Sequence, residues 1–435
     1  MFWSILSISL LVLFCQTVTT RKTSDILNHL STRTPYRFIY NRDDSKIKYP
    51  NCKAAKIWMV TRHGTRLPSP KDIHGSRTTL KNLRDEIVTR HRLGKGDLTE
   101  EQIQRFEDWS SDILPTDAKI LTAEGKDEMM LLGERIKKRF PNIIKNKFDN
   151  KTFHFRYTAT QRAEESAKSF AIGLFKEHGA KEVKYAPIPK HDPVLRFYKY
   201  CDKWLKQVKN DTNTYKEVKN YITSDEMNTT LDSVSKRLGL DYVLSFDAVN
   251  LMYSICGFET SWHKNLISPW CFAFDRADIQ KLEYYHDLKH YWVDGYGREL
   301  TYRQACLSIK TMFKIFSDTK SPNATFLFAH SGTLLKLLSH MQLYKPREHL
   351  RGDRMDVGRP WRMSKIDSFG ANLAFVLFRC KDGDKVLTLH QERPVQLPMC
   401  DSELCPLQQL LEHFHESIHH CDYNDLCSLH TKTEL

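Results

Sequence analysis

The chain has 435 residues, which is long for a single compact core, so two lobes are expected. Its composition, with 40% hydrophobic and 27% charged residues, is typical of globular proteins and supplies ample material for a core. The formal net charge of +13 favours an anionic partner, but the positive charge is spread along the chain without a polybasic run. This pattern argues against nucleic acid as the partner and favours a small, highly charged anion.

The first residues of the chain predict a secretory signal peptide at residues 1–20. Ile5 to Phe14 form an apolar run of suitable length, too short to span a bilayer comfortably, and small residues follow at Thr17 and Thr19. Because no Lys or Arg precedes this run, a signal anchor is the alternative. No later segment of the sequence is long and apolar enough to cross a membrane, so we expect no stable transmembrane segment.

Short apolar runs alternate with amphipathic helices along the rest of the chain. The runs predict buried strands at Ile57–Val60, Phe153–Thr158, Thr325–Ala329 and Leu373–Phe378. Helices are predicted at Thr122–Lys138, with Thr122 as the N-cap, at Ala163–Lys176 and after Ser331. This alternation predicts the α/β class, with a mostly parallel central sheet flanked by helices.

Two stretches interrupt the alternation and are predicted to be mainly helical. Residues 71–117 are polar and charged, and residues 191–300 are rich in Trp, Tyr and Lys. We interpret both stretches as parts of a helical cap domain that is inserted into the α/β core. The core would then comprise residues 21–70, 118–190 and 301–435.

The sequence RHGTR, Arg62 to Arg66, directly follows the first predicted strand. Ligands of α/β proteins bind beyond the carboxyl ends of strands, and two guanidiniums offer planar, bidentate donors to phosphate oxygens. Gly64 lets the backbone turn tightly beside an anion. His63, held among cations, would stay neutral and could attack phosphorus to form a phosphoenzyme. The alternative is an ordinary basic turn on the surface.

Two further predicted strands end in residues of the same chemistry. The run FHFRYT leads into a helix that begins near Arg162, and the run TFLFA leads into His330. Three strand ends would thus bring five side chains to one edge of the sheet: Arg62, His63, Arg66, Arg162 and His330. We predict that these side chains form a positively charged pocket for a phosphoryl group.

The motif R-H-G-x-R-x-P, which Arg66 and Pro68 complete, resembles the signature of the histidine acid phosphatases, clade 2 of the histidine phosphatases. Thr65 stands where the related mutases usually have Glu. The resemblance covers nearly the whole mature chain and is closest to the multiple inositol polyphosphate phosphatase branch. Further matching segments are Asp192–Trp204, Ser268–Asp275, Leu282–Gly297 and Phe369–Phe375.

The resemblance implies a phosphoric monoester hydrolase that acts on inositol polyphosphates such as phytate, with a bisphosphorylated glycerate as a related substrate. It implies that His63 is the phosphate-accepting nucleophile and that His330 donates to the phosphoryl oxygens. Arg62, Arg66 and Arg162 would clamp the phosphate and neutralise the equatorial oxygens of an in-line transition state. The family needs no metal or other cofactor, and the sequence contains no convincing metal motif.

The residues that follow His330 depart from the family pattern. Acid phosphatases have His-Asp and the inositol polyphosphate branch has His-Ala-Glu, whereas here Ser331 and Gly332 follow the histidine. The missing acid normally protonates the leaving alkoxide, a contribution typically worth about 100- to 10,000-fold in rate. The proton donor could be another carboxyl, Ser331 through water, or a neighbouring phosphate of the substrate. The alternatives are a slow or restricted enzyme, a non-catalytic polyphosphate binder, and a broad-specificity acid phosphatase.

Basic and aromatic residues outside the motif are candidates for contacts with further phosphates. Lys71 lies just after the motif and is expected to bind substrate phosphate. Lys199, Lys289 and Tyr296 lie in segments of the predicted cap that are rich in basic and aromatic residues. For each of these three, a position on a helix surface or in packing is the alternative.

The cysteines point to an oxidising compartment. Apart from Cys15, in the predicted signal peptide, ten of the eleven cysteines remain, and this even number indicates disulfides. The expected pairs are Cys256 with Cys271 and Cys400 with Cys405, which are local, and Cys52 with Cys380 and Cys201 with a C-terminal cysteine, which the family resemblance implies.

The C-terminal region contains histidines as well as cysteines. His415 and His419 lie four residues apart on a predicted helix, so a zinc site is the alternative to disulfides there. The last residues, KTEL, are one substitution from a retention signal, so we expect the endoplasmic reticulum lumen or secretion. The sequence does not indicate an oligomeric state. Candidate glycosylation sequons begin at Asn150, Asn210, Asn228 and Asn323.

Overall fold

The computed structural model describes residues 26–429, so the predicted signal peptide and the C-terminal KTEL lie outside the described residues. The strands are β1 (Cys52–Arg62), β2 (Phe153–Tyr157), β3 (Ala324–Ala329), β4 (Asn372–Cys380), β5 (Gly383–His390), β6 (Arg393–Pro394) and β7 (Leu404–Pro406). They form one sheet with the order β2-β3-β1-β4-β5-β6, and β7 pairs with β5. Helices cover both faces of this sheet.

The sheet is mixed, with a parallel half and an antiparallel half. β2, β3 and β1 run parallel to one another, as predicted for the strands that lead into the site residues. β1 pairs antiparallel with β4, and β4 pairs antiparallel with β5. The expectation of a mostly parallel sheet therefore needs correction on the β4 side. The two-residue connection Lys381–Asp382 leads straight back into β5, and so short a connection joins antiparallel strands.

β1 lies at the centre of the sheet and contributes to two cores. Its eleven residues extend the predicted run in both directions. Trp58 and Val60 belong to the core on one face, whereas Ile57 and Met59 belong to the core on the other face. Because both faces of the strand are covered, its central run Ile57–Val60 is apolar without interruption instead of alternating.

Long helices flank the sheet and end at the predicted signals. Helix Ala123–Arg139 begins after Thr122, whose hydroxyl accepts a hydrogen bond from the first turn, as predicted for an N-cap. Helix Gln161–Ala180 is capped by Thr160 in the same way. These two helices cover the Met59 face. The other face is covered by helices that include Cys306–Ser317 and Ser331–His340.

Both stretches that were predicted to form a cap contain helices and no strand among the described residues. Their buried side chains continue the core on the Trp58 face of the sheet. Their assignment to a separate cap domain stays a prediction. The helices are Pro70–Gly75, Lys81–Arg92 and Glu100–Glu107 in the first stretch, and Asp202–Trp204, Lys216–Ile222, Asp225–Arg237, Phe246–Trp262, Arg276–Asp294 and Glu299–Arg303 in the second.

Disulfides fasten the C-terminal segment, which contains the short helices Leu407–His413, His415–His419 and Tyr423–Cys427, to the rest of the chain. Because every cysteine of this segment is bonded to another cysteine, none is free to bind zinc. The expected pairs are present, and a fifth pair was not anticipated. The disulfides are Cys52 with Cys380, Cys201 with Cys427, Cys256 with Cys271, Cys400 with Cys405 and, unanticipated, Cys306 with Cys421.

The histidines of the C-terminal segment lie on its surface. His415, Glu416 and His420 are exposed, and their possible ligand atoms lie within 4.8 Å of one another. The ring centroids of His419 and His415 are 4.5 Å apart. Between residues 26 and 429 we find no helix with the length and apolar character that a bilayer span requires.

Candidate active site

Arg62 ends β1 and His63 follows it, at the carboxyl end of the parallel half of the sheet. In the neighbouring strand β3, Ala329 is the register partner of Arg62, and His330 comes next. The ring centroids of His63 and His330 are 5.5 Å apart. The structure therefore brings together two of the strand ends that the sequence analysis singled out.

Arg162 reaches the same place from the first turn of the helix that follows β2. Its Nη2 lies 3.4 Å from Nδ1 of His330. The pKa of His63 is lowered, and burial is the largest cause. The positive charges of Arg62, Arg162 and Arg66 also lower it. Such an effect requires all three guanidiniums to lie near the imidazole ring. The five predicted side chains thus converge at one edge of the sheet.

The turn after β1 is tight because two backbone segments touch there. A side-chain carbon added to Gly64 would lie 2.4 Å from the carbonyl oxygen of Gly125, and one added to Gly125 would lie 2.2 Å from that of Thr65. Glycine at both positions therefore lets the start of helix Ala123–Arg139 press against the RHGTR turn. The N–H of Gly64 also donates to Oγ of Ser166, at 3.1 Å.

Glu128 supports the same turn from the neighbouring helix. Its carboxylate accepts hydrogen bonds from the N–H and the hydroxyl of Thr65, at 2.8 and 3.0 Å, and from the N–H of Tyr36 at 3.1 Å. Burial raises the pKa of Glu128 to about 7, against the effect of these hydrogen bonds. Thr65 is buried and binds a carboxylate, so it holds the turn in place.

His63 is neutral, and its hydrogen bonding determines which ring nitrogen is free. Its Nδ1 lies 2.9 Å from the carbonyl oxygen of Gly64. Since a carbonyl oxygen can only accept, Nδ1 carries the proton and Nε2 keeps its lone pair. Burial, followed by the positive charge of Arg62, lowers the pKa of His63 well below its usual value. An unprotonated Nε2 is thus available to attack an electrophile at neutral pH.

His330 is oriented by two neighbours. Its Nε2 lies 2.8 Å from the hydroxyl oxygen of Thr158, and its Nδ1 faces Arg162. A guanidinium can only donate, so Nδ1 accepts from Arg162 and Nε2 donates to Thr158. Burial, followed by the charges of Arg162 and Arg196, lowers the pKa of His330. A dianion bound beside the ring would reverse this effect and favour the protonated imidazole.

Three guanidiniums of the site rest on two phenyl rings. Arg62 lies 4.8 Å from the ring of Phe369, and Arg66 and Arg33 lie 5.3 and 5.2 Å from the ring of Phe258. The centroids of the two rings are 6.2 Å apart. Cation–π contacts offset part of the repulsion between the arginines. Arg33 was not predicted, because it lies before β1 in a segment without a motif.

The protein neutralises only part of the charge on these arginines. Arg62 donates to the carbonyl oxygens of Thr32, at 2.8 Å, and Asp367, and it lies 3.7 Å from Oδ1 of Asp367. Arg66 donates to a backbone carbonyl at 2.8 Å. Burial, followed by the charges of Arg62 and Arg162, lowers the pKa of Arg66 to about 9. Buried Nε atoms of Arg62 and Arg162 have no hydrogen-bond partner, and an anion with several oxygens would satisfy such donors.

A second set of cations comes from the two helical stretches, residues 71–117 and 191–300. Lys289 is partly buried, and burial, followed by the charge of Lys209, lowers its pKa, with a contribution from Lys71. Burial, Arg196 and then Lys209 likewise lower the pKa of the exposed Lys199. These lysines therefore lie close enough to interact with one another. The structure thus groups the predicted Lys71, Lys199 and Lys289 and adds Lys209, which the sequence analysis did not name.

Tyr296 does not belong to this set of side chains. It is buried, its hydroxyl donates to the carbonyl oxygen of Leu343 at 2.7 Å, and its ring packs 5.5 Å from that of Trp361. The expectation that Tyr296 contacts substrate is therefore corrected. Its position is the packing role that the sequence analysis gave as the alternative.

Both residues that replace the family's acid have defined neighbours. The hydroxyl of Ser331 donates to Oδ2 of Asp367, a buried carboxylate that the sequence analysis did not predict. A side-chain carbon added to Gly332 would lie 3.1 Å from the ring of Tyr198. Tyr198 therefore borders the space in which a side chain at position 332 would begin.

This arrangement of strand ends, arginines and histidines is accompanied by a family match. Residues 55–393 match the model of the Histidine phosphatase superfamily (branch 2), and the chain belongs to this family of phosphoric monoester hydrolases. It is 31% identical over 397 residues to multiple inositol polyphosphate phosphatase 1 of Drosophila melanogaster, an alignment that covers 88% of this chain and 84% of the relative. The family resemblance read from the sequence is confirmed.

Solved structures share the fold. The phytase from D. castellii superposes with a TM-score of 0.75 at 17% identity, covering 94% of this chain and 89% of the phytase. The multiple inositol polyphosphate phosphatase of Bifidobacterium longum, in complex with inositol hexasulfate, gives a TM-score of 0.66 at 16% identity, covering 89% and 97%. The α/β architecture with a central sheet flanked by helices is therefore that of these enzymes.

Proposed function

We propose that the protein is a phosphomonoesterase that hydrolyses inositol polyphosphates through a phosphohistidine on His63. The observation that carries this proposal is the hydrogen bond from Nδ1–H of His63 to the carbonyl of Gly64. This hydrogen bond leaves Nε2 unprotonated and directed away from the backbone. The site around it contains several guanidinium groups, and the buried Nε atoms of Arg62 and Arg162 have no hydrogen-bond partner. A neutral imidazole among cations suits attack on a phosphate ester better than simple anion binding.

The proposed reaction has two steps. Nε2 of His63 attacks phosphorus in line with the leaving oxygen, so a P–N bond forms as the P–O bond breaks. Arg62, Arg66 and Arg162 bind the nonbridging oxygens and neutralise their charge in the transition state. Once the bound dianion has raised its pKa, His330 takes up a proton at Nδ1, exchanges its contact with Arg162 for one with a phosphoryl oxygen and donates to that oxygen. Water then displaces the imidazole and releases inorganic phosphate.

The distribution of charge supports a substrate with several phosphates. The arginines suffice for one phosphoryl group, and Lys71, Lys199, Lys209 and Lys289 supply further positive charge around it. We propose that residues 71–117 and 191–300 form a cap that contributes these lysines. The names of the relatives, a multiple inositol polyphosphate phosphatase and a phytase, agree with phytate as the substrate. A bisphosphorylated glycerate is a smaller candidate with the same chemistry.

The cellular compartment follows from the covalent chemistry. Five disulfides are typical of a protein of the oxidising secretory pathway. We propose that the signal peptide at residues 1–20 directs the chain there and that KTEL retains it in the endoplasmic reticulum lumen, with secretion as the other outcome. The four sequon asparagines are all exposed, which supports their glycosylation: Asn150, Asn210, Asn228 and Asn323.

The experiment compares the wild-type protein with a His63→Ala variant on phytate. We expect wild-type protein to release phosphate and the variant to lose at least about 1,000-fold in turnover, because the nucleophile is gone. Labelled substrate quenched in alkali should leave label on His63, since a phosphoramidate survives base. A His63→Ala variant with full activity would remove the phosphohistidine mechanism.

A second candidate, a polyphosphate-binding protein without turnover, rests on Ser331 and Gly332, where the family has an acid. Tight phytate binding by wild-type protein, measured by calorimetry with no phosphate released, would favour this candidate. A broad-specificity acid phosphatase is the third. Equal kcat/KM values for phytate and for simple monophosphates would favour it over the leading proposal.

A further inference from the structure

The leaving oxygen of an inositol phosphate needs a proton, because the free alkoxide is strongly basic. In the family the acid stands one or two residues after the second histidine, so a group of the protein that contacts residue 331 or 332 is the first candidate. Neither Ser331 nor Gly332 has a carboxyl. A substitute acid is therefore expected to be a buried carboxyl that contacts one of these two residues.

Two other carboxyls near the site, the partly buried Asp294 and the buried Glu128, are committed to other partners. Asp294 lies 2.6 Å from the buried ammonium of Lys336 and 2.8 Å from Nδ1 of His290. Against burial, which raises its pKa, the charge of Lys336 and the hydrogen bond with His290 hold the pKa of Asp294 far below the usual range. It is therefore ionised and has no proton to give. Glu128 is bound on the far side of the RHGTR turn, where both its oxygens accept from Thr65.

Asp367 is the carboxyl that contacts the position of the missing acid. Its Oδ2 is hydrogen-bonded to the hydroxyl of Ser331, the residue directly after His330. The side chain of Asp367 is fully buried, and its Oδ1 has no hydrogen-bond partner. Ser331, in contrast, is partly exposed, so its hydroxyl connects a carboxyl inside the protein with the site.

We propose that Asp367 is the proton source for the leaving group and that the hydroxyl of Ser331 relays the proton. This inference rests on the proposed function. In the acid form of Asp367 the proton lies on Oδ2, so the carboxyl donates to Oγ of Ser331 and the hydroxyl is free to donate to the leaving oxygen. As the P–O bond breaks, Ser331 gives its proton to that oxygen and takes the proton of the Asp367 carboxyl. The products are the phosphohistidine, the inositol hydroxyl and the Asp367 carboxylate. When water attacks the phosphohistidine, its proton passes through Ser331 back to Asp367, which restores the starting state.

The charges around Asp367 are compatible with this role. Burial is the largest cause and raises the pKa of Asp367. The positive charge of Arg62 and the hydrogen bond from Ser331 lower this pKa and so offset part of the effect of burial. His290 and Asp294 also face Asp367 and act in opposite directions. A carboxyl with a raised pKa is a better proton reservoir at mildly acidic pH than an ordinary one.

The test uses leaving groups of different basicity on the full-length protein. We expect Ser331→Ala and Asp367→Asn each to lower kcat/KM for phytate by about 100-fold or more, the usual range for a general acid. The value for p-nitrophenyl phosphate should fall by less than about threefold, because nitrophenolate leaves without a proton and kcat/KM reports steps up to phosphoryl transfer. Ser331→Thr, which keeps the hydroxyl, should retain phytate hydrolysis.

The pH profile distinguishes a relay from a structural role. In wild-type protein, kcat/KM for phytate should fall as pH rises through the pKa of Asp367, because the acid form is required. Asp367→Asn should lose this limb of the profile. Because Asp367 also lies beside Arg62, a substitution there could disturb phosphate binding. The inhibition constant of inorganic phosphate is therefore measured in each variant and should stay within about threefold of the wild-type value. Ser339→Ala, in the same helix as Ser331, is the matched control.

Several outcomes would overturn the relay. An equal loss with both substrates, together with weakened phosphate inhibition, would mean that Asp367 merely positions Arg62. Unchanged phytate hydrolysis in Ser331→Ala would also overturn it. Wild-type protein that turns over the aryl ester but not phytate would remove the relay and leave the phosphohistidine chemistry standing. Wild-type protein that turns over neither ester would remove both proposals.

Discussion

Arg33 and Arg66 place their guanidiniums over the same phenyl ring, that of Phe258, at 5.2 and 5.3 Å from its centroid. Like charges so close repel each other, and the charge of Arg33 is one of the causes that lower the pKa of Arg66, after burial, Arg62 and Arg162. Nε and Nη1 of Arg33 are buried without a hydrogen-bond partner. The pair therefore favours an anion between or beside the two side chains.

The first prediction concerns Arg33 as an added phosphate contact. Arg33→Gln should weaken inhibition by inorganic phosphate by at least about 10-fold, because a charge-assisted hydrogen bond is worth about 1.5–3 kcal/mol. The inhibition constant is measured with an aryl phosphate as the substrate. Arg92→Gln, at an exposed position on helix Lys81–Arg92, is the matched control and should change nothing. Equal constants in wild-type protein and Arg33→Gln would show that Arg33 does not reach the anion.

The second prediction separates recognition of several phosphates from the chemistry. Lys289→Met should raise KM for phytate several-fold and leave kcat/KM for p-nitrophenyl phosphate unchanged, because an aryl monophosphate has no second phosphate for the outer lysines. After burial, the positive charge of Lys209 and, to a smaller extent, that of Lys71 lower the pKa of Lys289. Lys236→Met, on the exposed face of another helix of the same stretch, serves as the control. Parallel losses on both substrates would contradict a role confined to the outer phosphates.

The third prediction restores the family's acid. Gly332→Glu should raise phytate hydrolysis, most clearly in a Ser331→Ala background, where at least about 10-fold should return if a general acid is what the site lacks. A side-chain carbon at 332 meets the Tyr198 ring at 3.1 Å, so the ring must shift by a few tenths of an ångström. Gly332→Gln has the same shape without the acid and should not rescue. Equal rescue by Gln would contradict the acid–base explanation.

The fourth prediction concerns stability and pH at His390. This buried side chain donates from Nε2 to the carbonyl of Ile366 at 3.1 Å and accepts at Nδ1 from Tyr344 at 2.7 Å. Burial lowers its pKa to about 3, so below pH 6.5 unfolding takes up a proton and wild-type stability falls. The stability of the His390→Gln variant does not fall in this way, because the variant has no imidazole at this position.

The measurement for His390 is urea unfolding at two pH values. The destabilisation by His390→Gln should shrink by about 2 kcal/mol between pH 7.5 and pH 5, which is the free energy of protonating one histidine in the unfolded chain at pH 5. His415→Gln, at an exposed position, is the control and should show no such change. An equal cost of His390→Gln at both pH values would contradict the prediction.

The parts of the site that lie on strand ends could be predicted from the sequence. His63 follows the apolar run of β1 almost directly, His330 follows that of β3, and β2 leads into the helix that contains Arg162. Parallel strands bring their carboxyl ends together. The N-cap at Thr122 could also be predicted, because it depends only on residues that are close in the sequence. β5 was missed because its sequence GDKVLTLH begins with polar residues and its apolar half is short.

Other parts of the site depend on contacts between distant segments. Arg33 and Asp367 come from opposite ends of the described chain and carry no local motif, so their approach to Arg62 becomes visible only in three dimensions. Tyr296 shows the converse, since its basic and aromatic surroundings resemble a binding segment although the residue packs in the core. Composition along the chain does not reveal which face of a helix is buried.

The order of strands in the sheet has a consequence for biosynthesis. β3 lies between β1 and β2, yet it is translated long after both, since residues 158–323 separate it from β2. During synthesis, β1 and β2 therefore leave the ribosome before β3, the strand with which both of them pair, has been translated. Their unpaired amides and apolar faces invite wrong pairings during that interval. A product truncated before Ala324 would leave that central gap open, and the ribosome must deliver the chain through Ala329 before the parallel half of the sheet can form.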